Sequence, residues 1–266
     1  MWGIVPAAGR GSRIQPLAFS KELLPVGSRS DAGVERPAAV SEFLLDRMLA
    51  AGVDKICFII APGKSDILEY FGAAYGTARL VYVVQPEAAG LCDAIFRAAP
   101  LVAPDEGVVV GLPDTIWFPE NALASLPGDR LAFLLFPVDD PSRFDAVVTA
   151  ADGSVEVIQV KSAEARSDWI WGAFAMPGRV FADLNALWLE AGRGDEYVGT
   201  LVNAWLARGG RAVGIKAGER YVDVGTIDGY RAAMQLLQER SAPAHSRLNP
   251  AQGSHRSATG TQGARP

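Results

Sequence analysis

The sequence predicts an α/β fold with three layers, in which a mixed, mostly parallel sheet is covered by helices on both faces. Short apolar strands alternate with helical segments up to residue 112. Each of these strands is apolar along most of its length, as expected for parallel strands that are buried on both faces. After residue 130, Asp152-Gly153 stands between two apolar segments and predicts an antiparallel hairpin that elaborates the sheet.

The first half of the chain is predicted to supply parallel strands and their crossover helices. We expect strands at residues 2–5, 55–60, 80–84 and 108–112, and helices at 37–51, 64–71 and 91–99. The helix at 37–51 has apolar residues at helical spacing and is followed by Gly52, which is typical of a helix C-terminus. Open sheets of this kind bind ligands at the carboxyl ends of their strands, so we expect the site there.

The second half is predicted to add antiparallel strands and three more helices. Strands are expected at 131–137, 146–149, 155–160, 169–176 and 212–215, followed by a strand end and turn at 221–226. Helices are expected at 179–189, at 198–207 and in a last segment that ends near residue 239. No internal repeat is seen. We therefore expect one domain at 1–240, whose halves at about 1–130 and 131–240 share one cleft.

Composition and charge exclude several classes of protein. The chain has 266 residues, 49% of them hydrophobic, which is enough for the core of one large or two small domains. A net charge of −5 argues against a dedicated nucleic-acid binder. The two cysteines, Cys57 and Cys92, provide neither a disulfide framework nor a zinc pattern. Without a predicted membrane span or signal peptide, the sequence is typical of a cytoplasmic protein.

Both histidines, His245 and His255, fall in a terminal segment at 241–266 that is rich in Ser, Ala, Gly, Pro and Gln. Such a composition predicts a disordered tail. The predicted domain then contains no histidine, so a Ser-His-Asp triad, a histidine base and a histidine-ligated metal are not expected there. Its chemistry must depend on carboxylates, Lys, Arg, backbone amides or a hard metal ion.

A loop of small residues follows the first predicted strand. Gly9 and Gly11 allow the backbone to approach a ligand closely, and phosphate is the ligand that such a loop favours. Arg13 and Lys21 would add positive charge. The loop is not a P-loop, because no Gly-Lys-Ser/Thr follows, and Ile14 occupies the place of the third small residue of a dinucleotide fingerprint. Taken alone, Gly-x-Gly is more typical of a tight surface turn than of a phosphate site.

The wider stretch resembles the signature of the sugar nucleotidyltransferases, which join a sugar 1-phosphate to a nucleoside triphosphate. The matching residues are Ala7-Ala8-Gly9-Arg10-Gly11-Ser12-Arg13, Pro16 and Lys21-Glu22-Leu23-Leu24-Pro25-Val26. The resemblance covers residues 1–240 and is greatest to the glucose-1-phosphate thymidylyltransferases and the UTP–glucose-1-phosphate uridylyltransferases. It implies a Rossmann-like fold, with UTP or dTTP and a sugar 1-phosphate as substrates. It also implies catalytic roles for Arg13 and Lys21, and nucleotide binding by Ala7, Ala8, Gly9, Gly11 and Ser12.

The same resemblance assigns roles further along the chain. Gln85 and Gly90 match the segment that pairs with the edge of thymine or uracil. Asp114 and Asp223 match the pair that holds Mg²⁺, although either aspartate alone is more typical of a cap or an Asx turn. Lys161 matches a catalytic lysine that holds the sugar phosphate, and Gly172 matches a glycine that lets the sugar lie against backbone.

Three departures from the family pattern fall in the half that would bind the sugar. Val160 replaces a glutamate that contacts sugar hydroxyls, Asp145 replaces a glycine, and Tyr197-Val198-Gly199-Thr200 replaces Glu-Ile-Thr-Asp. Each lost partner of a buried hydroxyl costs roughly 1–3 kcal/mol. Either the sugar therefore differs from glucose, or this half no longer functions.

These departures leave alternatives open. One is nucleotidyl transfer to another phosphorylated acceptor, such as phosphocholine or an amino-sugar phosphate. Another is a nucleotide-binding regulatory paralogue that forms no product. A dehydrogenase is the weakest alternative, because both the third glycine and a suitable ribose-binding acid are missing. Since members of the family often form dimers or tetramers, the resemblance also leaves a homo-oligomer open.

Overall fold

The structure is a computed structural model that describes residues 1–241. Its first half has eight strands and three helices. The strands are β1 (Trp2–Pro6), β2 (Pro25–Asp31), β3 (Val34–Ala39), β4 (Lys55–Ile60), β5 (Ala74–Tyr75), β6 (Ala78–Val84), β7 (Gly107–Gly111) and β8 (Thr115–Phe118). The helices are α1 (Val40–Ala50), α2 (Ser65–Phe71) and α3 (Gly90–Phe96).

The second half adds six strands and three helices. The strands are β9 (Leu131–Pro137), β10 (Asp145–Thr149), β11 (Val155–Val160), β12 (Trp169–Pro177), β13 (Ala212–Ile215) and β14 (Arg220–Asp223). The helices are α4 (Gly178–Trp188), α5 (Val198–Ala207) and α6 (Ile227–Ser241). Short 3-10 turns occupy Lys21–Leu23, Ala99–Leu101, Ala122–Ser125 and Pro141–Arg143.

One ten-stranded sheet organises the fold. Its strands run in the order β11-β10-β12-β7-β1-β4-β6-β5, with β9 paired to β12 and β13 paired to β9. β1 pairs in parallel with β4 and β7, and β4 pairs in parallel with β6. β12 runs antiparallel to β7, β9 and β10. The predicted α/β class, with a mostly parallel sheet and antiparallel elaboration in the second half, is confirmed.

Hydrophobic residues on the two faces of the sheet pack into separate clusters, because successive side chains of a strand point in opposite directions. Along β1, Ile4 packs into one cluster and Val5 into the other. Along β4, Cys57 and Phe58 divide in the same way. Both faces are thus covered, and three layers result.

Four strands of the first half, β2, β3, β5 and β8, were not predicted from the sequence. A two-stranded sheet of β2 and β3 was missed, because its residues are largely polar and exposed. Its second strand also takes up residues 37–39, so the helix predicted from residue 37 begins at Val40. Glu42 then accepts a 2.8 Å hydrogen bond from the backbone N–H of Ala39, which stabilises this start.

The end of the described chain is helical. Ser241, predicted as the first residue of a tail, is the last residue of α6. The rest of that predicted tail, with His245 and His255, lies outside the described residues. Within residues 1–241, none of the helices combines the length and the hydropathy that crossing a bilayer would need.

Candidate active site

A cavity of about 630 Å³ lies where the two halves of the chain meet. The loop after β1, the segment after β7, the end of β14 and the strands β10 to β12 all contribute to it. Its walls are formed by Gly9, Arg13, Leu91, Leu112, Asp114, Thr115, Arg143, Phe144, Asp145, Lys161, Trp171, Glu196, Tyr197, Tyr221 and Asp223. Arg13, Asp114, Lys161 and Asp223, which were predicted from distant parts of the sequence, therefore share one cavity.

The loop after β1 folds around the side chain of Lys21. Gly11 has φ +65°, and a Cβ at this position would lie 2.9 Å from Lys21 Cδ. Only glycine both adopts this conformation readily and leaves room for the lysine. Of the other predicted nucleotide-binding residues, Ala7 and Ala8 are buried, Gly9 lines the cavity, and Ser12 is exposed outside it.

Lys21 and Asp114 form an ion pair in which the ammonium donates a hydrogen bond to Oδ2 of the carboxylate. Both side chains are only 13% exposed. Burial alone would lower the pKa of Lys21, but Asp114 and Glu22 outweigh it and raise that pKa. Burial alone would raise the pKa of Asp114, yet the charge of Lys21 lowers it. Both groups are therefore charged at neutral pH.

Arg13 and Asp223 form a second ion pair, with 3.0 Å between Nη1 and Oδ2. Asp223 Oδ1 accepts a 2.8 Å hydrogen bond from the backbone N–H of Gly225. β14 pairs antiparallel with β8 so that Asp223 is opposite Thr115, the residue after Asp114. The backbone N–H of Val224 also donates to the carbonyl of Asp114 at 2.8 Å. This pairing brings the two aspartates together.

The oxygens of the two aspartates converge on Gly225. A Cβ at that glycine would lie 2.9 Å from Asp223 Oδ1 and 3.2 Å from Asp114 Oδ2, so these oxygens are no more than about 6 Å apart. No group of three acidic, histidine or cysteine side chains suited to a metal occurs among residues 1–241. Two carboxylates nevertheless fit Mg²⁺, which keeps several waters and takes phosphate oxygens as its remaining ligands.

Lys64, a partly buried lysine that sequence reasoning missed, holds the loop in place. Lys64 Nζ donates to the carbonyl of Ala7 at 2.7 Å and to the two oxygens of Glu22 at 2.9 and 2.8 Å. Glu22 is only 1% exposed. Burial raises its pKa, and the charges of Lys64 and Lys21 offset only part of this effect. Lys64 lies just before α2, where nothing in the local sequence indicates this contact.

Gln85, one of the two predicted base-reading residues, lines a second cavity of about 450 Å³ together with Ala8, Arg10 and others. Gln85 is buried, and its Nε2 donates to Asp93 Oδ2 at 2.7 Å and to the carbonyl of Gly90 at 3.2 Å. Because Ala8 lines this cavity and Gly9 the larger one, the two cavities adjoin at the loop after β1.

Gly90 is a point of close contact between the two halves of the chain. It has φ +89°, and a Cβ here would lie 2.9 Å from Cα of Glu196. The carbonyl of Glu196 accepts hydrogen bonds from the N–H groups of Leu91 and Cys92, at 3.0 and 3.3 Å. The segment before α5 thus caps the start of α3, and its Glu196 and Tyr197 enter the cavity wall.

Lys161 lies in the other half of the cavity, with an unusual backbone conformation. Its φ is +44°, which is uncommon for a residue other than glycine and is often found at functional sites. Its N–H donates to the carbonyl of Phe144 at 2.9 Å. Its ammonium is 4.4 Å from the ring centroid of Tyr197, which is close enough for a cation–π contact.

Gly172 is not among the residues that line the cavity. A Cβ at this position would lie 2.6 Å from Phe136 Cε2 and 2.8 Å from Tyr221 Cε2. Ring packing therefore requires glycine here whether or not a sugar binds, and contact with a sugar stays a prediction. Two aromatic neighbours of Gly172 line the cavity instead: Trp171, which precedes it in the sequence, and Tyr221, which lies next to it in space. Neither residue was identified from the sequence.

A family model, described as nucleotidyl transferase, matches residues 2–240 of the chain. Among curated proteins, the UTP–glucose-1-phosphate uridylyltransferase AglF of Haloferax volcanii is 26% identical over 252 residues. That match covers 92% of this chain and 99% of AglF. The family match confirms the resemblance seen in the sequence.

Solved structures show the same fold. A Bacillus anthracis protein described as a glucose-1-phosphate thymidylyltransferase, in complex with sucrose, has a TM-score of 0.73 and 23% identity. That alignment covers 94% of this chain and 97% of the other. A UTP-bound UGPase from Acinetobacter baumannii has a TM-score of 0.72 and 20% identity, with coverages of 91% and 94%.

Proposed function

We propose that this chain, which belongs to the nucleotidyl transferase family, joins a sugar 1-phosphate to UTP or dTTP and releases pyrophosphate. The convergence of Arg13, Lys21, Asp114 and Asp223 carries the proposal. Two cations and two carboxylates from three separate segments of the chain meet beside a glycine-containing loop. That set suits a magnesium–triphosphate.

In the proposed reaction, an oxygen of the sugar phosphate attacks the α-phosphorus. A new P–O bond forms, and the bond from the α-phosphorus to the oxygen that bridges it to the β-phosphate breaks, so that pyrophosphate leaves. The nucleophile is an anion at neutral pH and needs no general base. This agrees with a described chain that contains no histidine.

The protein must bring two polyanions together and neutralise the charge that grows on the leaving group. Arg13 would bind the triphosphate, Lys21 the reacting phosphates, and Lys161 the sugar phosphate. Asp114 and Asp223 would hold Mg²⁺, which supplies further charge neutralisation when bound. Amides of the loop after β1 would complete the phosphate site.

Nucleotide choice is part of the proposal. The relatives include a UTP–glucose-1-phosphate uridylyltransferase and a UTP-bound structure, which support UTP, and a protein described as a thymidylyltransferase, which supports dTTP. Gln85 and Gly90 would recognise the edge that uracil and thymine share. Gln85 would then exchange its present hydrogen bond to Gly90 for one to the base.

Release of pyrophosphate tests the function. The protein is incubated with Mg²⁺, UTP or dTTP, and a panel of sugar 1-phosphates, and pyrophosphate is measured in a coupled assay. Lys21→Ala and Asp114→Ala should abolish turnover, whereas Asp129→Ala, a surface variant, should not. Wild-type turnover in both site variants would refute the assignment. Binding of UTP without pyrophosphate from any acceptor would instead identify a nucleotide-binding regulator.

A further inference from the structure

The three departures from the family pattern meet at one point of the structure. Asp145 on β10 and Val160 on β11 are directly paired in the antiparallel register. Gly199, in the first turn of α5, lies against both. A Cβ at Gly199 would be 2.7 Å from Val160 Cγ2 and 3.4 Å from Asp145 Oδ2. The three positions therefore form one altered site and are not independent losses.

The register explains how the three changes are related. Paired residues on neighbouring antiparallel strands have their Cβ atoms about 4.5–5.5 Å apart on the same face. A carboxylate at position 145 can therefore occupy nearly the same space as one at position 160. The sequence exchanges glutamate at 160 for valine and glycine at 145 for aspartate, so one carboxylate is retained. Because Gly199 has no side chain, it leaves room for the side chains of Val160 and Asp145.

Asp145 lines the cavity and has a carboxylate oxygen that accepts no hydrogen bond from the described part of the chain. Its Oδ2 accepts a 3.3 Å hydrogen bond from Trp171 Nε1. Among residues 1–241, no hydrogen-bond donor reaches Oδ1, and no lysine or arginine lies within ion-pair distance of the carboxylate. Burial raises the pKa of Asp145, and Trp171 and Lys161 offset part of that effect. Oδ1 of this half-buried carboxylate is therefore available to accept a hydrogen bond from a ligand in the cavity.

We infer, on the basis of the proposed function, that Asp145 recognises the acceptor by accepting a hydrogen bond from one of its hydroxyl or amino groups. A carboxylate can only accept hydrogen bonds, so the acceptor must present a donor at this point. Lys161 binds the phosphate of the same molecule, and the rings of Trp171 and Tyr197 border the space between them. Asp145 is thus the specificity-determining residue, in place of a carboxylate at position 160.

The inference predicts a selective defect. Asp145→Gly should raise the KM for an accepted sugar 1-phosphate by roughly 10- to 100-fold, the effect of losing a hydrogen bond to a charged group. The KM for UTP or dTTP should not change, because Asp114, Asp223 and the loop after β1 are untouched. Asp145→Asn keeps the shape of the side chain and one acceptor oxygen, so the KM for the acceptor should rise less. This variant keeps the inference testable if the glycine variant does not fold.

A rescue variant separates recognition from mere structural support. Asp145→Gly combined with Val160→Glu returns the carboxylate to the neighbouring strand and should recover at least part of the acceptor affinity. Glu156→Gln, an exposed change on β11, the strand of Val160, serves as the control and should leave both KM values unchanged. Glucose 1-phosphate, glucosamine 1-phosphate and their deoxy analogues are the probes. Loss of one hydroxyl or amino group should reproduce the effect of Asp145→Gly.

The outcomes distinguish this inference from the proposed function. Wild-type pyrophosphate release with any acceptor supports the function independently of the variants. If turnover occurs but Asp145→Gly leaves the acceptor KM unchanged, or raises the two KM values equally, the inference is overturned and the function stands. Absence of turnover with every acceptor would overturn both.

Discussion

Arg13 and Asp223 lie 210 positions apart in the sequence, yet their side chains are joined by a 3.0 Å hydrogen bond. The contact exists because β14 returns to pair with β8, next to the buried Asp114. The ion pair of Arg13 with Asp223 and that of Lys21 with Asp114 together balance two carboxylates with two cations. A magnesium–triphosphate would exchange these partners, so that metal binds carboxylate and phosphate binds the cations.

The two aspartates should control the magnesium requirement. We expect Asp114→Asn and Asp223→Asn each to raise the Mg²⁺ concentration for half-maximal pyrophosphate release by at least about 10–100-fold, the effect of removing even an indirect contact to a metal. Asp228→Asn, an exposed change in the first turn of α6, should have no effect. Chelation with EDTA should stop turnover, and added Mg²⁺ should restore it. A variant with an unchanged magnesium titration would remove that aspartate from the metal site.

The ion pair between the partly buried Lys64 and the buried Glu22 should stabilise the fold strongly. Lys64→Met leaves Glu22, which is 1% exposed, without its main cation, and breaking such a pair costs about 3–5 kcal/mol. The free energy of unfolding from urea titration should fall by that amount. The double variant with Glu22→Gln should be less destabilised than Lys64→Met alone, because no buried charge is left unpaired. Arg130→Ala, which breaks an exposed pair, should be neutral.

Gly90 should tolerate substitution less well than a glycine of similar conformation. Gly90 and Gly63 have φ +89° and +87°, but only at Gly90 would a Cβ meet neighbouring atoms. Gly63→Ala should cost about 1–2 kcal/mol from backbone strain alone. Gly90→Ala should cost more, because the clash with Glu196 pushes apart the two halves of the cavity. Equal losses of melting temperature in the two variants would show that the contact with Glu196 is unimportant.

The two cysteines should be unreactive while the protein is folded. Burial raises the pKa of Cys57 to about 12 and, together with smaller effects of Asp195 and Asp145, that of Cys92 to about 12. A thiol reacts as its thiolate, and a raised pKa makes that form rare at pH 8. Mass spectrometry after iodoacetamide treatment at pH 8 should find neither residue modified in folded protein and both modified in urea. Rapid labelling of folded protein would contradict this packing.

Much of the fold and of the proposed phosphate site could be predicted from the sequence, because their signals are local. Apolar strands such as Lys55–Ile60 and Leu131–Pro137 were predicted with the bounds they have in the structure. One short stretch contains the loop around Gly11 and the cations Arg13 and Lys21. Its glycines indicate directly where the backbone must adopt unusual conformations. The β2–β3 hairpin was not predicted, because polar, exposed strands show no hydrophobic periodicity.

By itself, the sequence determined the α/β class, the absence of histidine from residues 1–240, and the charged residue types that the candidate site can use. Only the tertiary structure decided which of these residues meet. Strand pairing placed Asp223 beside Asp114, and the register of β10 with β11 placed Asp145 opposite Val160. The three departures from the family pattern in the second half therefore form one compact site. Such convergence depends on contacts between segments far apart in the chain, which no local pattern of residues encodes.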